Sequence, residues 1–201
     1  MSRRSPVEIT IAESRYQVLT ILVVVLLAIL YTIAFLLGAY TACNDVNVYM
    51  EITASIRKNM ENSTLLRIYN ETLTYISQGN ISLVLNNILY LILHVASRDF
   101  FSALIPVIPS YMFYINGIIS APITQKGMAI FISALPLVLG KIVSYSIIGS
   151  VTLIIVIDKL ILKRNITLQY LQRLVLGFIL LIFLSLSDIL YSIVADLIVP
   201  S

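Results

Sequence analysis

The sequence predicts an all-α protein, a polytopic bundle of about five transmembrane helices with one polar extracellular loop. Composition gives the first reason. Of the 201 residues, 59% are hydrophobic and 11% are charged, whereas soluble domains carry roughly a quarter charged residues. The second reason is a series of apolar runs that approach or exceed the roughly 20 residues needed to cross a bilayer. The third is an uneven distribution of basic residues between those runs.

The first apolar run is predicted to be an uncleaved transmembrane span at 17–41, which follows a cytoplasmic N-terminal segment at 1–16. A signal peptide has an apolar core of roughly 7–15 residues and a small-x-small cleavage site. This run is longer and shows no such site. The polar segment at 42–80 is predicted to be the extracellular loop, with room for one or two short amphipathic helices.

The remainder of the chain, 81–199, is predicted to form a four-span transmembrane bundle. The spans are placed at 81–97, 100–122, 128–157 and 170–199. The third of these four is longer than a straight crossing requires. We therefore expect it to tilt, or to break around Pro136 and Gly140, since proline frees a backbone carbonyl one turn earlier.

Basic residues predict the orientation, because cytoplasmic loops of membrane proteins carry an excess of Lys and Arg. With the N-terminus inside, the cytoplasmic side holds Arg3, Arg4, Arg15, Arg98, Lys159, Lys163, Arg164 and Arg173. The outside holds Arg57, Lys58, Arg67 and Lys126. The prediction is a multi-pass protein of the cell membrane with its N-terminus in the cytoplasm and its C-terminus outside.

Three N-x-S/T sequons lie in the predicted extracellular loop, at Asn62, Asn70 and Asn80. Such sequons accept N-linked glycans when they face the outside of a host that glycosylates. A fourth sequon at Asn165 falls in a predicted cytoplasmic loop, which shows that the short pattern also arises by chance. The three outer sequons are therefore either glycosylation sites or chance matches, and both interpretations stay open.

Two opposite charges interrupt the last two apolar runs. Lys141 lies about 13 residues, or roughly 20 Å, from the outer end of its span, and Asp188 lies about 11 residues, or roughly 17 Å, from the outer end of the next. Because the two charges reach nearly the same depth on consecutive helices, we predict an ion pair near the bilayer midplane.

Other polar residues recur at three- and four-residue steps, which place them on one helix face. The two faces consist of Ser133, Lys141, Ser144 and Thr152, and of Ser185, Asp188, Ser192 and Asp196. The two preceding spans add Asn86, Asn87 and Asn116 near their outer ends. Two interpretations stay open. The groups are interhelical hydrogen bonds, worth about 0.6 kcal/mol on average and up to about 2 kcal/mol, or they form a substrate or ion path with Lys141 and Asp188 as its charged elements.

Catalytic and cofactor motifs are missing from the sequence. It contains no Walker A loop and no intramembrane protease signature, and one His with one Cys cannot supply a common zinc site or an internal disulfide. The sequence therefore predicts a protein that is not an enzyme, with no cofactor and no metal. Its basic excess follows from the orientation of the loops, so no nucleic-acid partner is predicted.

Several segments across about 83–157 resemble the stage II sporulation protein M family. The resemblance rests on residues in matching order and approximate spacing: Asn86-Asn87, Asn116-Gly117, Pro136 and Ser144-Tyr145. The chain departs from the family where the family shows Pro-His-Gly and then Glu, because Lys141 follows Pro136 here. In bacteria, the resemblance implies a part in a multi-protein membrane complex that remodels the envelope during sporulation.

The sequence thus predicts a scaffold or permease-like subunit of a membrane complex. The alternative is a transporter or channel component with a polar outer cleft. The expected partners are the lipid bilayer and other membrane proteins or further copies of this chain. A separate ATPase is a candidate partner, because the chain has no ATP-binding loop of its own.

Overall fold

The computed structural model of the chain describes residues 6–61, 63–123, 125–160 and 168–198, with side chains at 17–61, 63–123, 128, 129, 131–159 and 168–194. All regular secondary structure in these ranges is helical, which confirms the all-α prediction for this part of the chain. The helices are α1 (Pro6–Asn44), α2 (Val46–Glu61), α3 (Thr64–Ser77), α4 (Ile81–Ala103), α5 (Val107–Ile119), α6 (Gln125–Leu160) and α7 (Leu168–Ile198).

Four helices are long and apolar enough to cross a membrane, judged over the described residues. The apolar stretches are Gln17–Asn44 in α1, Ile81–Ala103 in α4, Phe131–Lys159 in α6 and Leu168–Val194 in α7. Helix α5 is also apolar but has 13 residues. At 1.5 Å per residue it rises about 20 Å, which is less than the roughly 30 Å of a hydrocarbon core.

The boundary between α4 and α5 differs from the predicted one. Helix α4 continues to Ala103 instead of ending at 97, and α5 begins at Val107. Two prolines account for the late start. Pro106 is the N-cap residue of α5, and Pro109 lies in the first turn, where a missing N–H costs no helical hydrogen bond.

Contacts between the apolar helices establish their relative directions. Residues in contact run in opposite order along α4 and α7, along α6 and α7, and along α1 and α6. Between α4 and α7, Leu91 and Ile92 pack with Ile189 and Ile193, and the Phe100 ring contacts the Phe178 ring edge to face. Between α6 and α7, the contacts are Ser133–Tyr191 and Asp158–Tyr170. Between α1 and α6, they are Leu27–Gly149 and Phe35–Phe131. Helices α4 and α6 therefore point the same way, so α5 must return the chain to the end at which α4 begins. We call this the α2–α3 end of the bundle.

Helices α1 and α5 run parallel and touch at two glycines. A Cβ atom on Gly38 would overlap the carbonyl oxygen of Tyr114, and a Cβ on Gly117 would overlap that of Phe35. No side chain fits between the two backbones at this crossing. Small residues permit such close approach between membrane helices.

A central apolar cluster holds the five apolar helices together. Each of α1, α4, α5, α6 and α7 contributes at least one buried residue: Leu27, Tyr31, Phe35, Ala96, Ala103, Phe113, Ile142, Tyr145, Ile148 and Leu181. Helix α5 is thus part of the core although it is short. Helix α6 continues without a break through Pro136, so the break that the sequence left open does not occur.

Most of the segment predicted as a loop at 42–80 is helical. The Ser63 hydroxyl caps α3 by accepting the Leu66 N–H at 3.1 Å. Gly79 has a φ of 70°, a left-handed conformation that glycine adopts without strain, and it turns the chain from α3 into α4. The apolar face of α3 packs on α4 and α7 through Leu65, Ile68, Leu73 and Ile76.

Candidate functional site

The structure brings Lys141 and Asp188 together as an ion pair between α6 and α7. The Lys141 side chain is 19% exposed and the Asp188 side chain is 36% exposed. Because neither side chain is enclosed, the pair lies at the surface of the bundle and not in its interior. Both residues belong to the apolar stretches of their helices.

The predicted serine stripes contribute little to this pair. Ser144 is buried, and its hydroxyl donates to the carbonyl of Gly140 at 3.1 Å. Ser192 donates to the carbonyl of Asp188 at 2.9 Å. Both hydroxyls therefore donate to a carbonyl of their own helix, which is a common hydrogen bond for serine in an apolar helix. Ser133 does reach across the interface, where it is hydrogen-bonded to Tyr191 at 2.8 Å.

The predicted asparagines do not join the Lys141–Asp188 pair. Asn86 and Asn116 are exposed. Asn87 is half-buried, and its Nδ2 is buried without a hydrogen-bond partner in the part of the chain that the structure describes. The side chain of Asp196 lies outside the described residues. The predicted polar residues are thus spread over several faces of the bundle.

Two of the three candidate glycosylation sites can be placed. Asn70 is exposed on α3. Asn80 is also exposed and caps α4, because its Oδ1 accepts the Leu83 N–H at 3.4 Å. Asn62 lies outside the described residues.

A second charged group, which sequence reasoning missed, joins the buried carboxylate of Asp99 to Arg98, whose side chain is 57% exposed. Arg98 donates to Oδ1 of Asp99 from Nε at 3.3 Å and from Nη2 at 3.2 Å, and the Tyr145 hydroxyl is hydrogen-bonded to the same carboxylate. The Asp99 side chain is 3% exposed. A buried carboxylate is tolerated only when it is paired and hydrogen-bonded, and Arg98 and Tyr145 provide both. The sequence predicts Arg98 at the cytoplasmic end of a span, whereas the structure places it within α4. The apolar residues that follow Asp99 were the available signal that the helix continues.

A third polar contact joins α6 and α7 at the end opposite α2 and α3. The Tyr170 hydroxyl donates to the carboxylate of Asp158, and both residues are buried. The contact therefore links the last turns of α6 to the first turn of α7. It gives Oδ2 of this buried carboxylate the hydrogen bond that a charged group in apolar surroundings needs.

Three surface cavities lie away from the predicted site. Cavities of about 490 and 350 Å³ lie at the α2–α3 end, lined mainly by residues of α2 and α3. A cavity of about 320 Å³ lies at the opposite end. Lys141, Asp188, Asn86 and Asn116 line none of the three. Across the described ranges, no group of three or more His, Cys, Asp or Glu side chains could hold a metal ion.

Comparison with known proteins adds no relative. No protein-family model, curated protein or solved structure matches this chain significantly. The resemblance to the stage II sporulation protein M family therefore stays a prediction from the residues alone.

Proposed function

We propose that this chain is a multi-pass membrane protein that acts as a scaffold or permease-like subunit of a membrane complex. The observation that supports this proposal is the dispersal of its polar residues. Lys141 and Asp188 neutralise each other at the bundle surface, and Asn116 is exposed on a different helix. A transport path needs polar groups that face a common interior or a water-filled cavity. Polar groups at the surface suit contact with a partner helix.

The partly exposed ion pair favours a partner at the α6–α7 surface. In a bilayer, the exposed sides of the Lys141 ammonium and the Asp188 carboxylate would face hydrocarbon, which cannot donate or accept hydrogen bonds. A polar group from another membrane protein or from a second copy of this chain would satisfy them. The resemblance to the stage II sporulation protein M family agrees with membership of an envelope complex, with a separate ATPase as one candidate member.

The proposed topology contains a hairpin that enters the membrane and returns. Helix α5 begins beside Tyr31, whose hydroxyl donates to the Pro106 carbonyl at 3.1 Å. Tyr31 is at the middle of the apolar stretch Gln17–Asn44. The turn between α4 and α5 would therefore lie within the bilayer, where its non-helical backbone needs hydrogen-bond partners, and the Tyr31 hydroxyl supplies one to the Pro106 carbonyl. In this topology α1, α6 and α7 cross the whole bilayer. Helices α4 and α5 form a hairpin that enters the bilayer from the α2–α3 end and returns to that end.

The hairpin leaves the proposed orientation unchanged. Like two full crossings, it returns the chain to the side from which it started. Because Arg98 belongs to α4 of the hairpin and not to a cytoplasmic loop, seven of the eight basic residues assigned to the cytoplasmic side remain there, against four outside. We therefore propose a cytoplasmic N-terminus and an external α2–α3 end, where glycans on Asn70 and Asn80 would also lie.

Cysteine labelling tests this topology. Cys43 is the only cysteine in the sequence and is exposed where α1 ends, so a membrane-impermeant maleimide should label it on intact cells. In a Cys43→Ser background, Lys159→Cys should be labelled only after permeabilisation. Ile105→Cys, in the hairpin turn, should react only after denaturation in detergent. Labelling of Lys159→Cys on intact cells would reverse the orientation, and labelling of Ile105→Cys on permeabilisation alone would show that α4 crosses completely.

Photo-crosslinking tests the proposed partner surface. Tyr191 is 45% exposed and lies one turn beyond Asp188, whereas Leu190 is 43% exposed and points about 160° away from Asp188 around the axis of α7. A benzoylphenylalanine that replaces Tyr191 should cross-link to a protein in native membranes, and one that replaces Leu190 should give lipid adducts. Lipid adducts alone at both positions would contradict the partner surface. Ion flux through the purified protein in liposomes would favour the transporter instead.

A further inference from the structure

The cavity of about 320 Å³ lies at the end of the bundle opposite α2 and α3, between the starts of the apolar stretches of α1 and α7. Its walls are Gln17, Gln169, Gln172, Arg173 and Leu176. We infer that this cavity binds the phosphate of an anionic phospholipid headgroup. The inference goes beyond the proposed function and rests on its membrane location, which maleimide labelling tests separately.

Arg173 supplies the charge for such a ligand. Its side chain is half-buried, and Nη1 is buried without a hydrogen-bond partner among the described residues. Arg67 and Arg98, in contrast, each contact a carboxylate. A buried donor that stays unsatisfied destabilises the fold, and a charged donor does so more strongly. A guanidinium also matches phosphate geometry, because its N–H groups form a planar fork.

The other lining groups that the structure describes are uncharged and favour an anion. Gln17, Gln169 and Gln172 each carry an amide NH₂ that can donate two hydrogen bonds. Among the side chains that the structure describes, no carboxylate lines the cavity. The carboxylate of Asp158, at the same end of the bundle, is buried and accepts a hydrogen bond from Tyr170.

The position of the cavity suits a lipid headgroup. Gln17 directly precedes the apolar run of α1 that begins at Val18, and Gln169 and Gln172 precede the apolar run of α7 that follows Arg173, so these residues lie where hydrocarbon gives way to headgroups. Leu176 lies about two turns further along α7 and gives the cavity an apolar wall on its membrane side. Basic pockets between membrane helices on the cytoplasmic side are known binding sites for anionic headgroups. The volume is within the range of about 300–1,000 Å³ typical of ligand sites.

The test uses the full chain in nanodiscs of phosphatidylcholine alone, or of phosphatidylcholine and phosphatidylglycerol in equal parts. Thermal unfolding followed by circular dichroism should show a higher Tm with phosphatidylglycerol. Native mass spectrometry should show about tenfold weaker retention of phosphatidylglycerol by Arg173→Gln, as expected for loss of a charge-assisted contact. Lys159→Gln removes an exposed charge at the same end of the bundle and should retain the lipid as the wild type does.

Further measurements distinguish binding of a lipid headgroup from binding of free phosphate. Inorganic phosphate added to the phosphatidylcholine nanodiscs should leave Tm unchanged. A rise in Tm with inorganic phosphate that matches the rise with phosphatidylglycerol would overturn the lipid assignment. Equal loss of retention in Arg173→Gln and Lys159→Gln would overturn the site. If Arg173→Gln fails to fold, Gln169→Leu keeps the charge and should weaken retention about threefold, whereas unchanged retention would contradict the cavity.

Discussion

Replacing Asp188 with leucine should lower the free energy of unfolding by about 3 kcal/mol, because the Lys141 ammonium would lose its counter-charge within the apolar stretch of α6. An unpaired charge at the centre of a membrane helix costs about 2.5–3.5 kcal/mol on insertion scales, and Lys141 lies within the apolar stretch of α6. Lys141→Leu should cost a similar amount, because it leaves the carboxylate alone. Unfolding of the purified protein, followed by circular dichroism, measures both changes.

The double variant Lys141→Leu with Asp188→Leu should unfold within about 1 kcal/mol of the wild type. It removes both charges together, and apolar replacements of a buried ion pair are often neutral or stabilising. Leu139→Val changes a side chain that is 50% exposed on the same helix and serves as the control. If the double variant loses the sum of the two single losses, the residues act independently, and the ion pair does not stabilise the fold.

The double variant also distinguishes a role of Lys141 and Asp188 in helix packing from a role in contact with a partner protein. A variant that folds and still forms the cross-link from position 191 would limit the pair to helix packing. A variant that folds but loses this cross-link would assign the exposed sides of Lys141 and Asp188 to the partner surface. The two outcomes correspond to the two interpretations that the sequence left open for these charges.

The Lys141–Asp188 contact was accessible from sequence because depth can be counted along a helix. Each residue adds 1.5 Å, and a charge in hydrocarbon requires a partner at its own level. The same reasoning could not place Ser144. A serine hydroxyl can bond to a carbonyl one turn earlier in its own helix, as Ser144 does, so a stripe of serines does not identify the neighbouring helix.

The α4–α5 hairpin was less accessible because hydropathy counts apolar residues without locating the turn between them. The run from 100 to 122 contains enough apolar residues for a crossing, yet its first residues belong to α4. Pro106 and Pro109 were the available signal for the start of α5. The buried carboxylate of Asp99 is hydrogen-bonded to Tyr145, a contact between α4 and α6 that no local pattern specifies.

Alanine at Gly117 should separate α1 from α5, although alanine favours a helix by about 1 kcal/mol over glycine. The added Cβ would overlap the carbonyl oxygen of Phe35. This oxygen belongs to the backbone of α1 and cannot rotate away as a side chain can. We expect a loss of about 3 kcal/mol in the free energy of unfolding, at the upper end of the usual cost of overpacking.

Gly38→Ala meets the carbonyl of Tyr114 at the same crossing, so the double variant with Gly117→Ala should lose less than the sum of the two single losses. One separation of the helices relieves both overlaps, and such shared strain is not additive. Gly140→Ala is the matched control. Its Cβ would lie 2.6 Å from Cδ2 of Leu184, a methyl group at the end of a flexible side chain, and we expect a loss below about 1 kcal/mol. If Gly117→Ala proves as mild as Gly140→Ala, α1 and α5 do not pack backbone to backbone, and the hairpin loses its main support.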